Sequence, residues 1–331
     1  MFGAAIEKQT GRLGRRLAAA RGSVSDHLYL DLNHDPDRAI LVVGSGRSGT
    51  TWLAELLSRQ LRARLVFEPF HPHWSPARDR LRLFVAPEES DAGFRQAAAE
   101  ILAGRLRSGR LEQAPPIRFP RSRIVKDIHV MNALPWFRRQ FPRLPLVLII
   151  RHPLAVALSR VRSGAQDGTF AGLAPYLGTA KGQAEAGASP VARWLPTYNR
   201  FRADREPLVQ CVAEWCIENT YPAAVADAYG IKLCFYEDLV LDPHGVLADL
   251  TAELGVTGGG HTADPARPSS TDWFARAASA RTGAARERLL VEWQEQVAPA
   301  TTARCLAVLD EFGLTHLYDD GAIPVASRNR Q

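Results

Sequence analysis

A glycine- and serine-rich turn between an apolar strand and a helix constrains the fold of this 331-residue chain more than any other feature. The apolar stretch Ala39–Val43 predicts a short buried strand, and the run GSGRSGTT follows it directly at residues 44–51. Apolar side chains three and four positions apart then predict a helix over residues 51–62. In such a strand, turn and helix, backbone N–H groups and the helix N-terminus surround an anion. We therefore predict a phosphate-binding loop at residues 44–51.

Two substitutions in this pattern restrict which phosphate ligand the loop can bind. Thr50 lies where a nucleoside triphosphatase carries its lysine. The apolar strand predicted at residues 144–150 ends in Arg151, where a triphosphatase needs a carboxylate to hold magnesium. An arginine at this place repels a metal ion and attracts a second phosphate. The sequence therefore predicts a ligand with two separated phosphates, and we expect no metal, because His71 and His73 lack a carboxylate partner at helical spacing.

Alternating strand and helix patterns predict an α/β protein with a three-layer P-loop-type fold, in which helices flank a central parallel sheet. Further strands are predicted at residues 63–67, 124–126 and 231–235, and helices at 208–228 and 284–312. Residues 163–189 are rich in small residues without periodicity, which predicts a mobile excursion. The predicted division is a helical N-terminal extension (1–38), one main domain (39–318) and a loose tail (319–331).

Composition restricts the class of protein further. With 46% apolar and 23% charged residues, the chain has the composition of a soluble globular protein. Its four cysteines are too irregularly spaced for a disulfide framework or a zinc site, which indicates a reducing compartment and a cytoplasmic location. The net charge of +6 comes from dispersed arginines, which argues against nucleic-acid binding. The basic segment at residues 8–21 leaves peripheral contact with an anionic membrane open.

The loop, with Trp52 and Leu53 after it, resembles the 5′-phosphosulfate loop of sulfotransferases that use 3′-phosphoadenosine 5′-phosphosulfate (PAPS). Three later segments agree with that family in the same order. Residues 148–153 with Ser159 resemble its 3′-phosphate motif, and residues 236–239 resemble its Tyr-Glu-Asp-Leu strand end. Residues 293–314 are similar to the carboxyl-terminal part of carbohydrate-type members. The first two motifs are specific, whereas the last two are weak alone.

The resemblance implies which residues bind the donor. The residues implied for the 5′-phosphosulfate are Arg47, Ser48, Gly49, Thr50 and Thr51. Trp52 is implied as a face for adenine, although a plain core tryptophan is the alternative. Arg151 and Ser159 are implied for the 3′-phosphate, and Arg281 faintly matches a late basic element that closes over that phosphate.

The resemblance also implies the catalytic groups. Arg47 and Lys126 would face the sulfuryl group and the leaving oxygen. Cytosolic members carry their base two residues after the lysine, where this chain has Ile128. Glycan-modifying members often use a glutamate in a Glu-Pro pair, which makes Glu68 the preferred base. The alternatives are that Glu68 is a structural partner of Arg47 or Lys126, and that His71 or His129 is the base.

Taken together, these features predict a sulfotransferase that moves a sulfuryl group from PAPS to a hydroxyl or amine and releases PAP without a metal. Glu68 and the carboxyl-terminal similarity favour a sugar or glycolipid acceptor, and residues 163–199 are predicted to line or cover its site. A small-molecule or glycan acceptor is the expected partner. Two other functions stay open: a metal-dependent phosphotransferase or kinase, and a non-catalytic nucleotide-binding protein.

Overall fold

The sheet contains five parallel strands with the phosphate-loop strand at its centre. The computed structural model describes residues 33–112, 119–120, 122–163, 172–256 and 283–328. The strands are β1 (Ala39–Val43), β2 (Arg64–Phe67), β3 (Arg123–Asp127), β4 (Leu146–Ile150) and β5 (Lys232–Phe235). They pair in the order β2-β3-β1-β4-β5, and each pair is parallel. The loop after β1 therefore lies between the carboxyl ends of β3 and β4, as the predicted fold requires.

Helices connect these strands and cover both faces of the sheet. In chain order they are α1 (Thr50–Leu61), α2 (Ala92–Leu102), α3 (Leu134–Gln140), α4 (Pro153–Arg162), α5 (Ala174–Leu177), α6 (Ala180–Gly187), α7 (Leu195–Arg202), α8 (Pro207–Ala224), α9 (Tyr236–Leu241), α10 (Pro243–Glu253), α11 (Gly283–Gln296), α12 (Pro299–Glu311) and α13 (Val325–Arg328). Short 3₁₀ helices occur at Pro36–Arg38, Arg78–Arg80, Met131–Ala133 and Pro190–Trp194. Within the described ranges, no helix combines the length and apolar character needed to cross a bilayer.

Side chains alternate across the sheet and divide the core into two layers. Leu41 and Val43 join the larger cluster with residues of α2, α3 and α8. Ile40 and Val42 point to the other face and join the smaller cluster with residues of α1, α9 and α10. Because successive strand residues face opposite sides, the uninterrupted apolar run of β1 serves both layers. The three-layer α/β prediction is confirmed.

The predicted helix at residues 284–312 is wrong as one element. It is two helices, α11 and α12, with the break at Ala298, whose φ of −60° and ψ of 140° are extended. Pro299 occupies the first turn of α12, and the ring of a proline disfavours the helical conformation in the residue before it. The apolar periodicity continues across the break and therefore hides it.

The predicted mobile excursion at residues 163–189 is also corrected where the structure describes it. Residues 172–189 contain α5 and α6, and Thr179 caps α6 by accepting a hydrogen bond from the Gly182 N–H at 3.0 Å. A Cβ at Gly182 would lie 2.0 Å from the Tyr176 carbonyl oxygen. The small residues here allow close packing and are not a sign of mobility. Residues 164–171 lie outside the described ranges.

The expectation of a loose tail fails as far as Arg328. Ser327 is buried, and its hydroxyl donates a 2.8 Å hydrogen bond to the Asp238 carboxylate. The tail thus packs against the helix that follows β5. The N-terminal segment through residue 32, with its basic stretch at residues 8–21, lies outside the described residues, as does Arg281.

Candidate active site at the carboxyl edge of the sheet

The loop after β1 packs closely against the carboxyl ends of β4 and β5. A Cβ at Gly44 would lie 2.3 Å from the Ile149 carbonyl oxygen, and one at Gly49 would lie 2.5 Å from the Tyr236 ring. Gly49 has a φ of 87°, in the left-handed region that favours glycine. The buried Ser48 hydroxyl makes no hydrogen bond within the described part of the chain. Buried hydroxyls normally have a partner, so this one suits an anionic ligand held in the loop.

Replacing Gly49 tests how tightly this loop is built. We expect Gly49→Ala to lower the free energy of unfolding by about 2 kcal/mol, because left-handed strain adds to the clash with Tyr236. Gly313→Ala is the matched control, since Gly313 has a similar φ of 70° and open space around it. Denaturant unfolding measures both variants. Equal losses would show that Tyr236 moves aside without cost.

A buried arginine supports the loop from behind. Arg160 in α4 donates from Nε and Nη2 to the Gly46 carbonyl oxygen, each at 3.3 Å, and from Nη2 to the Glu218 carboxylate at 2.7 Å. Burial favours the neutral guanidinium, but the charges of Glu218 and Glu214 outweigh it and raise the pKa of Arg160. The sequence did not predict this supporting role of Arg160. The signal for it in the sequence is the spacing of Glu214 and Glu218, one turn apart on the largely apolar α8.

Two arginines and one serine that are predicted to bind the donor, Arg47, Arg151 and Ser159, lie together beside the loop. Arg47, with a φ of 77°, donates from Nε to the Ser159 hydroxyl at 2.9 Å. Arg151 donates from Nη1 to the Arg47 carbonyl oxygen at 3.2 Å, and its guanidinium carbon lies 4.4 Å from the Tyr236 ring centre. Residues far apart in the sequence therefore form one cationic cluster at the junction of β1 and β4.

The first turn of α1 places the remaining predicted donor residues. Thr50 and Thr51 are buried at its start, next to the loop. Trp52 is half-buried, and its ring centre lies 5.8 Å from that of Tyr236 in an edge-to-face arrangement. Part of Trp52 packs on the smaller core layer, so its adenine role stays a prediction.

Glu68 and Lys126 form an ion pair at the ends of β2 and β3. The Glu68 N–H donates to the Lys126 carbonyl oxygen at 2.7 Å, and a φ of 46° turns the residue out of the strand. The Lys126 side chain is 3% exposed and that of Glu68 is 13% exposed. The sequence left open two structural partners for Glu68, Arg47 and Lys126, and the structure shows the pair with Lys126. The Glu68 carboxylate lies at the carboxyl edge of the sheet, and its role as base remains a prediction.

The two alternative bases form a second cluster beside this pair. β3 ends at Asp127, so strand alternation does not set the direction of His129, which is fully buried with Nδ1 3.2 Å from the Asp127 carboxylate. Burial favours the neutral ring, but the hydrogen bond and charge of Asp127 hold the pKa of His129 above its ordinary value. The His71 ring lies 4.7 Å from His129, and burial, with the charge of His129, lowers the pKa of His71 to about 4.

The His71 and His129 rings therefore each make a hydrogen bond to a neighbouring residue. The neutral His71 ring accepts from the His73 N–H at Nδ1, which leaves its proton on Nε2. Asp127 also accepts a 2.9 Å hydrogen bond from the Phe70 N–H and so fixes the turn that carries Glu68. Sequence reasoning missed this role of Asp127. Within the residues that the structure describes, no three His, Cys, Asp or Glu side chains converge as metal ligands.

A buried network beneath Arg151 explains the Tyr-Glu-Asp-Leu segment. The Glu237 carboxylate accepts from the His152 N–H at 2.9 Å and from the Tyr318 hydroxyl at 2.7 Å. Burial raises the pKa of Glu237 to about 7, although both hydrogen bonds oppose it. The His152 ring stacks on Trp293 at 4.2 Å, and its Nε2 lies 3.1 Å from the Asp319 carbonyl oxygen. The carboxyl-terminal segment thus helps to hold the backbone next to Arg151.

These features define an α/β protein with a P-loop-like fold and a cluster of arginine and hydroxyl side chains at the carboxyl end of its central strand. Residues 39–258 match the profile of the Sulfotransferase family, which is well over half of the chain. The chain therefore belongs to the sulfotransferase family, and sulfuryl transfer is the chemistry of that family.

Solved structures that are similar to this chain include three sulfotransferases or sulfotransferase domains. The sulfotransferase domain from the curacin biosynthetic pathway is 16% identical, covers 83% of this chain and 97% of its own, and has a TM-score of 0.44. The sulfotransferase from Alicyclobacillus acidocaldarius is 18% identical, with coverages of 82% and 95% and a TM-score of 0.37. The sulfotransferase domain of the Synechococcus PCC 7002 olefin synthase is 17% identical, with coverages of 88% and 98% and a TM-score of 0.39. No curated protein sequence matches the chain.

Proposed function

We propose that this sulfotransferase takes its sulfuryl group from PAPS, transfers it to a hydroxyl or amine of a sugar or glycolipid, and releases PAP. The observation that supports PAPS most strongly is the cluster of Arg47, Arg151 and Ser159 beside the loop. A glycine-rich loop accounts for one phosphate group, and a second cationic position one strand away suits a second. PAPS carries phosphate at both the 5′ and 3′ positions.

The loop also fits a ligand that brings no magnesium. Thr50 begins α1 where a triphosphatase has its lysine, and β4 runs into Arg151 and His152 with no carboxylate. Arg47, Lys126 and Arg151 supply positive charge around the loop without a metal. Their contacts to the Ser159 hydroxyl, the Glu68 carboxylate and the Arg47 carbonyl oxygen hold them in place before any ligand binds.

In the proposed reaction the acceptor oxygen or nitrogen attacks sulfur, and the bond from sulfur to the 5′-phosphate oxygen breaks. Glu68 takes the acceptor proton, while Arg47 and Lys126 stabilise the charge that collects on the leaving oxygen. The electron pair of the broken bond remains on PAP. Lys126 also pairs with the Glu68 carboxylate and orients it, so the ion pair places the proposed base and a cation at one edge of the sheet.

Two features support a carbohydrate acceptor in this proposal. Glu68 lies in a Glu-Pro turn after β2, and residues 293–314 are similar to the carboxyl-terminal part of carbohydrate-type members. Residues 172–199 form helical structure near the Glu68 turn. Glu185 of α6 accepts from the Leu83 N–H at 3.0 Å, which connects the two regions. We propose that this helical region borders the acceptor site.

Calorimetry with PAP and ADP, in the presence of EDTA, tests the donor. We expect PAP to bind about a hundredfold more tightly than ADP, because only PAP offers a 3′-phosphate for a charged guanidinium. Equal affinities would contradict the assignment of Arg151 and Ser159. Binding of ATP that requires magnesium would instead favour a phosphotransferase.

We further propose a cytoplasmic location, without a nucleic-acid partner. All four cysteines are buried free thiols, which suits a reducing compartment. Peripheral contact with a membrane would depend on the basic segment at residues 8–21.

A further inference from the structure

A pocket of about 360 Å³ lies between the Glu68 turn and the α5–α6 region. One side is formed by the end of that turn, including His73 and Arg78. Tyr176 and Lys181 form the opposite side. Ligand pockets range from about 300 to 1,000 Å³, so this one holds a single compact group, such as one sugar ring, better than an oligosaccharide.

Hydrogen bonds across the pocket fix its two walls relative to each other. Lys181 donates from Nζ to the Leu81 carbonyl oxygen at 2.9 Å. The buried Glu185 carboxylate accepts from the Leu83 N–H at 3.0 Å and pairs with Arg82 Nε at 3.0 Å. The pocket is therefore preformed, which reduces the ordering cost of binding.

Two of the three charged side chains that line this pocket, Arg78 and Lys181, are cationic, and the third is Asp79. Lys181 and Arg78 have side chains that are 49% and 52% exposed. Asp79 is 87% exposed and lies 3.8 Å from Arg78, so water largely screens it. Glu185 lies 4.0 Å from Lys181 but also pairs with Arg82. Because an ammonium group has three donors and Leu81 accepts from one, Lys181 can donate to a further acceptor.

Hydrogen bonds along residues 68–73 link the wall of the pocket to the predicted base, Glu68. His73, in the pocket wall, donates from its N–H to His71 Nδ1 at 3.2 Å. The His71 N–H donates to the Glu68 carbonyl oxygen at 3.2 Å. The lining of the pocket therefore begins at Pro72 and His73, in the same chain segment that starts at the predicted base.

We propose that this pocket binds a carboxylate, sulfate or phosphate group on the acceptor, so that the enzyme prefers compact anionic sugars to neutral ones. This inference rests on the proposed transfer to a sugar and specifies its substrate class. Arg78 and Lys181 would bind the anionic group, while the hydroxyl that is sulfated would lie toward Glu68. Remote binding of this kind orients the reacting atom and raises the transfer rate.

Turnover of three sugars that differ in charge tests the proposal. With PAPS as donor, kcat/KM is measured for glucose, glucuronate and glucose 6-phosphate. We expect at least one of the two anionic sugars to exceed glucose about tenfold, since a charge-assisted hydrogen bond is worth roughly that factor. The carboxylate and phosphate arms show which anion the pocket prefers.

Variants then assign the preference to this pocket. Lys181→Met, and separately Arg78→Gln, should reduce the ratio of anionic to neutral kcat/KM about tenfold. Lys232→Met is the matched control, because Lys232 is similarly exposed, at 40%, and pairs with Glu253 away from the pocket. Thermal unfolding checks that each variant is folded. An unchanged ratio in both pocket variants, or no preference in the parent protein, would overturn the inference.

A binding measurement separates this inference from the proposed function. Ligand-observed NMR with PAP-loaded protein compares glucuronate, glucose 6-phosphate and glucose without turnover. Binding of an anionic sugar that Lys181→Met abolishes supports the pocket even if no sugar is sulfated, and only the proposed transfer then fails. Transfer to glucose and both anionic sugars at equal rates contradicts the pocket and leaves the transferase function intact.

Discussion

Glu68→Gln should lower kcat for sulfuryl transfer about a thousandfold and change PAP affinity less than threefold. The amide keeps the size of the carboxylate but cannot take the acceptor proton, and general base catalysis contributes about 10² to 10⁴ in rate. Single-turnover transfer from radiolabelled PAPS measures the chemical step, and calorimetry measures PAP binding. Lys126 would lose its charged partner but keep a hydrogen-bond acceptor.

Glu253→Gln serves as the control, because Glu253 is an exposed glutamate that pairs with a lysine at 2.9 Å far from the loop. It should retain full activity. A pH–rate profile then separates a base from a merely structural carboxylate, since loss of the base removes the acidic limb of the profile. An active Glu68→Gln would shift attention to His71 and His129, and the variants His71→Gln and His129→Gln would decide between them.

Arg151→Gln should weaken PAP binding about a hundredfold and leave ADP binding nearly unchanged. The lost guanidinium is the charged group that we assign to the 3′-phosphate, and a charge-assisted hydrogen bond of this kind contributes about 1.5 to 3 kcal/mol. Arg151→Lys should recover only part of the affinity, because an ammonium group lacks the planar fork. Calorimetry of both nucleotides with both variants gives the discrimination directly.

Arg143→Gln is the control for this pair of variants, since Arg143 is 81% exposed and pairs with Asp37 on the surface. If Arg151→Gln weakened the binding of PAP and of ADP equally, Arg151 would support the loop without binding the 3′-phosphate. The 3.2 Å hydrogen bond from Arg151 to the Arg47 carbonyl oxygen makes that outcome a real alternative.

The sheet and the loop could be predicted because their signals are local. Ala39–Val43 and Leu146–Ile150 are apolar runs, and Gly44 and Gly49 lie where a side chain would clash with neighbouring residues. Arg151 was recognisable because it ends such a run. Two errors had the same local origin: the periodicity continues across Ala298, and small residues at 180–187 looked irregular although they form α6.

The supporting residues could not be predicted, because their partners are distant in sequence. Arg160 meets Gly46 across 114 positions, and Asn219 donates to the Ser45 hydroxyl across 174 positions. Asp127 was visible beside Lys126, but only the folded chain shows that it binds the Phe70 N–H and the His129 ring. For the same reason the sequence named both Glu68 and Lys126 without deciding that they pair.

The network beneath Arg151 has a consequence for how this protein is made. Tyr318 joins Glu237 across 81 positions, and Asp319 joins His152 across 167 positions. Contacts between such distant residues require the closure of long loops, so they form late in folding. A nascent chain that has left the ribosome only through β5 already has every strand of the sheet, but it lacks the support for Arg151. We therefore expect the proposed nucleotide recognition to mature only after residues 318 and 319 have been synthesised and have joined the fold.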